Sequence, residues 1–245
     1  MSTISLWDGS LSLVNTKGIN SRPICNNFKV IFVTKTQIFF QIIETYSPLI
    51  PLATLLIKRS RKSSWVILLI SYLAIYLSLV YAANNFFSGN KNNNIIYIVL
   101  TGVTFCFFAL ILEQFLSAKF KFYNRVVILI AVLFFVANAI FWEGTFLFNS
   151  YSSAAGNLIL LGYCIYYYKL QLEKPQIIFV ERLPSFWIVS GIFIYSAGNI
   201  FLFSMYNSLT QNHHLFTYEM WDINIILILI MNISFAKGIQ CASLK

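Results

Sequence analysis

One acidic residue, Glu44, stands inside a long apolar stretch and is followed closely by two prolines, in the run ETYSPLIP over residues 44–51. Proline has no backbone N–H, so Pro48 and Pro51 leave the carbonyl groups of Glu44 and Ser47 without their helical hydrogen bonds. A kink with free carbonyl groups beside a carboxyl group could bind a proton, a cation or a polar ligand. The alternative is that Glu44 lies close to a surface and reaches water.

Polar side chains also interrupt the last two apolar runs. Ser196 and Asn199 lie in the first of these runs and Asn224 in the second. Such groups can hydrogen bond between neighbouring helices, and they can also line a polar cavity. With Glu44, they form the predicted ligand-binding set, while structural hydrogen bonding remains the alternative for all three.

The other acidic residues and the histidines indicate no further chemistry. Glu113, Glu143 and Asp222 stand near the ends of apolar runs, where we expect them to reach headgroups or a nearby lysine. His213 and His214 are adjacent, a spacing that is not typical of a metal site. No nucleophile elbow, P-loop, dinucleotide fingerprint or haem-attachment motif is present, so we predict no enzyme activity, no metal and no cofactor.

The composition determines which elements position these residues. The chain has 245 residues, of which 58% are hydrophobic and 10% charged, and its mean hydropathy is +0.73. Globular proteins carry about 25% charged residues, so most outward side chains must meet lipid. A spanning helix needs about 20 apolar residues, and the runs lack the alternation of barrel strands, so we predict an all-α transmembrane bundle of about seven helices. The predicted spans are Thr36–Ile57, Ser64–Ala83, Ile95–Leu116, Val126–Trp142, Ser152–Leu170, Pro184–Met205 and Trp221–Gln240.

Basic residues predict the orientation, because positively charged loops tend to stay in the cytoplasm. They concentrate in alternate connections and at the C-terminal end: Lys58, Arg59, Arg61 and Lys62; Lys119, Lys121 and Arg125; Lys169, Lys174 and Arg182; Lys237 and Lys245. The N-terminus is therefore expected outside and the C-terminus inside, with Trp142 and Trp221 at the outer surface. Residues 1–35 are expected to form a poorly ordered tail and residues 36–242 one domain. The net charge of +9 is scattered, which does not favour nucleic acid as a partner.

Small residues recur along the sixth predicted helix. Ser190-Gly191 is followed seven residues later by Ala197-Gly198, which places a strip of small side chains on one helix face. Such a strip permits the close approach of a neighbouring helix. We interpret it as a packing surface.

The C-terminal half carries a more specific pattern of residues. It comprises FNSYS at 148–152, LPSFW at 183–187, Ser190-Gly191, Ile194-Tyr195-Ser196, Gly198-Asn199, FLF at 201–203, Trp221 and Asn224. This pattern resembles an uncharacterised family of small bacterial seven-helix multi-pass membrane proteins, some encoded near two-component sensor kinases. The resemblance extends loosely over residues 36–242. It implies a compact bundle in the bacterial inner membrane and brings no catalytic or ligand residues with it.

Three functions follow as hypotheses. The first is a non-enzymatic sensory or signal-transmitting bundle that acts in the lipid bilayer with a membrane or cytoplasmic signalling protein. The second is transport of a small solute or proton through a cavity near Glu44, Ser196, Asn199 and Asn224. The third is a membrane-embedded lipid enzyme, which would require Glu44 and Asp222 to meet between the first and seventh helices.

Overall fold

The computed structural model describes residues 36, 38–57, 63–86, 94–117, 120–144, 148–173, 179–212 and 214–243, with the backbone alone at 84–86, 207–212 and 214–218. The predicted N-terminal tail, His213, the side chain of His214 and most of the basic connections lie outside the described residues. Within the described ranges the chain is helical and has no strand, as the apolar runs predict.

Seven α-helices form the described part of the chain. Their bounds are α1 Ile38–Ile57, α2 Ser64–Phe86, α3 Asn94–Glu113, α4 Phe120–Ala137, α5 Ser150–Glu173, α6 Pro184–Asn212 and α7 His214–Ser243. A π-helical turn, Asn138–Trp142, extends α4, and a short 3-10 turn, Val180–Arg182, precedes α6. A turn at Ser47 and Pro48 interrupts α1, which resumes as Leu49–Ile57.

Six of these helices, all except α5, are long and apolar enough to span a membrane. The exception is long enough at 24 residues, but serines at its start, Asn157 and three consecutive tyrosines make it more polar than the others. Its serines, Asn157 and Tyr167 are buried against neighbouring helices. The described bundle is therefore compatible with a multi-pass membrane protein, and its most polar helix has its polar face inside.

Helix packing places the N-terminal helix against the C-terminal one. The most extensive contacts join α6 to α7 and α5 to α6. The second half of α1 packs on α7, α2 packs on α3, and α3 also contacts α4 and α5. The apolar core is shared by α2 to α7 and includes Leu69, Phe108, Leu160, Ile192 and Phe235.

Helix α4 exposes apolar side chains and buries polar ones, which is the opposite of the distribution in a water-soluble protein. Leu129, Ile130 and Leu133 of α4 face outward, whereas Asn124 and Asn138 of the same span are completely buried. Lipid accepts apolar side chains at no cost, but a polar group in hydrocarbon must find a partner inside the protein. This pattern is what a bilayer requires of a helix bundle.

One helix boundary differs clearly from the sequence prediction. Helix α4 begins at Phe120, six residues before the predicted start of its span, so that Lys121 and Arg125 lie on the helix. We had placed both residues in a connection, which was wrong. A helix can continue beyond the hydrocarbon into the headgroup region, and Arg125 on this helix makes an ion pair with Glu113 that hydropathy does not reveal.

The small residues of α6 bring α7 close. A Cβ atom added at Gly191 would lie 2.9 Å from the Cβ of Ser234 and 3.2 Å from the carbonyl oxygen of Met231. One added at Gly198 would overlap the side chain of Leu227. The close approach at Gly191 thus involves both the Ser234 side chain and the α7 backbone, in agreement with the packing interpretation of the strip.

Candidate functional site

Glu44 lies at the end of the first half of α1, inside the bundle. Its exposed fraction is 7%, so it does not reach open water. Helix α1 breaks three residues later, where the Ile50 N–H donates to the carbonyl oxygen of Ser47 at 3.1 Å. The break lies where Pro48 removes a backbone donor. The carboxyl group therefore lies just before an interruption of its own helix.

Two side-chain hydrogen bonds connect this interrupted part of α1 to α7. The indole Nε1–H of Trp221 donates to Oε2 of Glu44 at 3.4 Å. Half-way along α7, Nδ2 of Asn232 donates to the hydroxyl oxygen of Ser47 at 3.0 Å. The packing of α1 on α7 thus fixes both Glu44 and the turn that follows it.

Glu44 opens onto a cavity of about 60 Å³ between α1, α2, α3, α5, α6 and α7. The lining combines one carboxyl group with aromatic rings, hydroxyl groups and amides. The lining residues are Glu44, Tyr76, Tyr97, Leu100, Thr101, Thr104, Phe105, Phe148, Ser153, Gly156, Asn157, Leu160, Tyr195, Phe203, Trp221, Asn224 and Ile228.

Edge-to-face ring contacts hold Trp221 in this wall. Its ring lies 5.2 Å from the ring of Tyr97 at 84°, and 6.3 Å from the ring of Phe148 at 87°. Phe148 in turn lies 5.0 Å from Phe203. Such pairs add to the stability gained from burial and restrict ring rotation. The indole N–H is consequently directed toward Glu44 by the packing around it.

The polar atoms on the opposite side of the cavity are partly engaged. Thr101 donates from Oγ1 to the carbonyl oxygen of Tyr97 at 2.9 Å, and Nδ2 of Asn157 donates to the carbonyl oxygen of Ser153 at 2.8 Å. The Oδ1 atom of buried Asn224 has no hydrogen-bond partner among the described residues. Asn157 and Asn224 thus contribute side-chain amides to the wall of the cavity.

The structure brings together two of the four residues predicted as ligand-binding. Glu44 and Asn224 both line the cavity. Ser196 and Asn199 are fully buried on α6 but do not contribute to its described wall. The Ser196 hydroxyl and both amide atoms of Asn199 have no partner within the described ranges. The polar interior therefore extends beyond the cavity itself.

Several lining residues were not predicted from the sequence. Tyr76, Tyr97 and Tyr195 look like ordinary residues of apolar helices, and we had placed Trp221 at the outer surface as an interfacial anchor. Trp221 is half-buried and donates a hydrogen bond to Glu44, and its location at the outer surface stays a prediction. A tyrosine in the middle of an apolar helix is a weak indication of a polar interior. Its hydroxyl group needs a polar partner in hydrocarbon.

We expect Glu113 from the sequence to reach headgroups or a nearby lysine, but its partners in the structure are Asn124 and Arg125. It is 2% exposed and accepts from Nδ2 of Asn124 at 2.6 Å, and from Nε and Nη2 of Arg125 at 3.2 and 3.1 Å. The two-pronged arginine contact neutralises the buried charge. Glu113 therefore has a structural role between α3 and α4.

Glu143 is also buried, contrary to the expectation of a surface position. It accepts from Nδ2 of Asn138, in the π-helical turn, and from the backbone N–H of Tyr151 at 3.3 Å. Tyr151 lies in the first turn of α5, where an anion is favoured by the free N–H groups of the helix. Asp222 follows Trp221 on α7 but is not among the described residues that line the cavity.

The lining of the cavity has the chemistry to hold a polar or positively charged group. Glu44 is the one carboxylate in the described wall of the cavity, and that wall includes no lysine, arginine or histidine. Aromatic rings and amide oxygens surround the carboxylate, a combination that binds polar or positively charged groups. No protein-family model, curated protein or solved structure matches this chain.

Proposed function

We propose that this chain is a multi-pass integral membrane protein whose bundle recognises a small polar solute in the cavity around Glu44 and transmits that binding to a partner protein. The supporting observation is the position of Glu44, buried beside an interrupted helix and open to a polar cavity. In this proposal the protein is a sensor without enzyme activity of its own.

A comparison of the three buried carboxylates supports a ligand at Glu44. Glu113 accepts three hydrogen bonds, two of them from an arginine. Glu143 accepts from Asn138 and from a helix N-terminus. Glu44 has one long hydrogen bond, from Trp221, among the described residues. An under-satisfied carboxyl group in an apolar interior costs several kcal/mol unless a proton or ligand supplements its partners. Of the three, Glu44 is the carboxyl group that lies beside a cavity in which a ligand could bind.

For the orientation we propose an outer N-terminus and an inner C-terminus, with all seven helices crossing a bacterial inner membrane. The support is the alternation of Lys and Arg between connections. Reporter fusions after residues 62, 93, 118 and 245 test it. Cytoplasmic signals at 62, 118 and 245 with an external signal at 93 are expected. A C-terminal fusion that reports the external side would contradict this topology.

The signalling part of the proposal rests on the resemblance to small membrane proteins encoded near sensor kinases, and on the absence of catalytic motifs from the sequence. Affinity purification from gently solubilised membranes of the source cells should recover a signalling partner at a fixed ratio. Glu44→Gln should change that ratio, because the variant alters the site whose occupancy the partner reads, whereas Glu173→Gln should not. Repeated recovery of the chain alone would contradict a role in transmission.

Transport is the second candidate, and the interruption of α1 favours it. Helices that break beside a binding site are typical of secondary carriers, since the free backbone groups can coordinate a solute. Flux of protons or of a labelled solute into vesicles that contain the purified protein is the test. Flux that requires Glu44 would favour a carrier, and equal flux for wild type and Glu44→Gln would remove this candidate.

A lipid enzyme receives the least support. Such an enzyme would need a second carboxylate close to Glu44, and Asp222 is not among the described residues of the cavity wall. Although α1 and α7 do adjoin, the residue that α7 contributes beside Glu44 is Trp221. An indole N–H is a donor and cannot act as a general base.

A further inference from the structure

The cavity around Glu44 carries enough chemistry to define the class of its ligand. We propose that it binds a small organic ammonium ion, with the cationic nitrogen beside the Glu44 carboxylate and its carbon substituents against the aromatic wall. This inference rests on the proposed recognition function and deepens it by naming the charge, size and shape of the solute.

Charge is the first argument. In the described wall of the cavity, Glu44 is the one carboxylate, and no cationic side chain is present to neutralise it. Its hydrogen bond from Trp221, at 3.4 Å, leaves most of its acceptor capacity unused. The two other buried carboxylates, Glu113 and Glu143, are bonded by protein groups. A cation therefore complements this wall when the Glu44 carboxyl group is ionised.

The aromatic rings are the second argument. Tyr76, Tyr97, Tyr195 and Trp221 line the cavity together with Phe148. A cation over an aromatic face is attracted by the ring quadrupole, and tryptophan gives the strongest attraction. Rings also accommodate the carbon substituents of an organic cation, which a hydrated metal ion lacks. Aromatic groups around a single carboxylate are the usual recognition arrangement for methylated or alkylated ammonium groups.

The side-chain amides are the third argument. Asn157 and Asn224 both line the cavity, and the Oδ1 atom of buried Asn224 has no hydrogen-bond partner among the described residues. An unpaired carbonyl oxygen is complemented by an N–H donor or a positive charge, and not by an anion. The amides therefore agree with the preference for a cation.

The volume limits the size of the ligand. The cavity measures about 60 Å³, which is several times the roughly 10–15 Å³ that one water-sized probe occupies, so a ligand of a few heavy atoms can fit. Ethanolammonium, with four heavy atoms, and tetramethylammonium, with five, are of this size.

Calorimetric titration of the full-length protein in nanodiscs tests the inference. The nanodiscs consist of phosphatidylglycerol, which has no ammonium headgroup, and the probes are the chlorides of tetramethylammonium and ethanolammonium. We expect saturable binding of at least one of them. Two comparators lack the positive charge: tert-butanol, which is neutral, and acetate, which is an anion. If either binds as tightly as the ammonium probes, the proposal is overturned.

Three variants assign the binding to the site. Glu44→Gln keeps the shape of the side chain and should weaken binding at least tenfold. Glu173→Gln, a matched change at an exposed position on α5, should leave it unchanged. Trp221→Phe keeps a ring and should weaken binding several-fold, and it provides a second measure if Glu44→Gln does not fold. Equal affinity in wild type, Glu44→Gln and Trp221→Phe would refute the assignment.

A second set of nanodiscs identifies the source of the ammonium group. If phosphatidylethanolamine is added and the free probe then binds more weakly, a lipid headgroup competes for the cavity. An unchanged affinity indicates a free solute, and both results uphold an ammonium site. If neither ammonium probe binds while recovery of the signalling partner still depends on Glu44, the ammonium assignment fails and the recognition function remains.

Discussion

Replacement of Gly191 by alanine tests the contact between α6 and α7, the helices that contribute Tyr195, Trp221 and Asn224 to the cavity. The new Cβ would lie 2.9 Å from the Cβ of Ser234 and 3.2 Å from a backbone oxygen of α7. Carbon atoms prefer about 3.5–4.0 Å, so the two helices must separate by about 0.5–1 Å. Overpacking of this kind costs about 1–3 kcal/mol. We expect Gly191→Ala to lower the free energy of unfolding accordingly.

Two other glycines provide the controls for this measurement. At Gly102, on α3, an added Cβ meets nothing within 4 Å, so Gly102→Ala changes helix propensity without a clash. At Gly198 the three atoms nearest to the added Cβ all belong to the side chain of Leu227, which can change rotamer, so an intermediate loss is expected.

Unfolding in mixed micelles with increasing dodecyl sulfate, followed by far-ultraviolet circular dichroism, gives the three free energies. The difference between Gly191→Ala and Gly102→Ala is the cost of the clash. If Gly191→Ala loses no more stability than Gly102→Ala, the close contact of α6 with α7 is refuted.

The same unfolding assay tests the two bonded carboxylates. Glu113→Ala leaves buried Asn124 without its strongest acceptor and should cost about 1–3 kcal/mol, and Arg125→Gln should cost at least as much, because it leaves the Glu113 carboxyl group, 2% exposed, without its cationic partner; a negligible loss for Arg125→Gln would contradict the structural role of this pair. Asn138→Leu removes a donor from buried Glu143 and should speed amide hydrogen exchange in the first turn of α5, and unchanged exchange there would argue against that contact.

The helices were largely predictable from the sequence, because a bilayer admits few alternatives. Runs of about 20 apolar residues must be helical in hydrocarbon, and each predicted span corresponds to a helix. The interruption of α1 was equally predictable, since Pro48 removes a specific backbone donor. The start of α4 was not, because helix propensity continues beyond the apolar run into Lys121 and Phe122.

The site could be predicted only in part. Glu44 is conspicuous in the sequence because a carboxylate in an apolar run is costly wherever it lies. Its neighbour Trp221 is 177 positions away, and a tryptophan at a helix end also fits a role at the membrane surface. The partners of Glu113 and Glu143 were missed for a related reason. Pairing depends on how helices are placed against each other, and no local pattern encodes that.

Fluorescence of Trp221 reports on the cavity without any assumption about a downstream partner. The chain has five tryptophans. In a variant in which the other four are replaced by phenylalanine, all tryptophan fluorescence comes from Trp221, which contacts Glu44. Titration with tetramethylammonium in phosphatidylglycerol nanodiscs should shift or quench its emission saturably, and Glu44→Gln should abolish this response at the same concentrations. Two results would contradict a ligand site inside this bundle. One is an emission that does not change on titration, and the other is an equal change in the protein with Glu44 and in the Glu44→Gln variant.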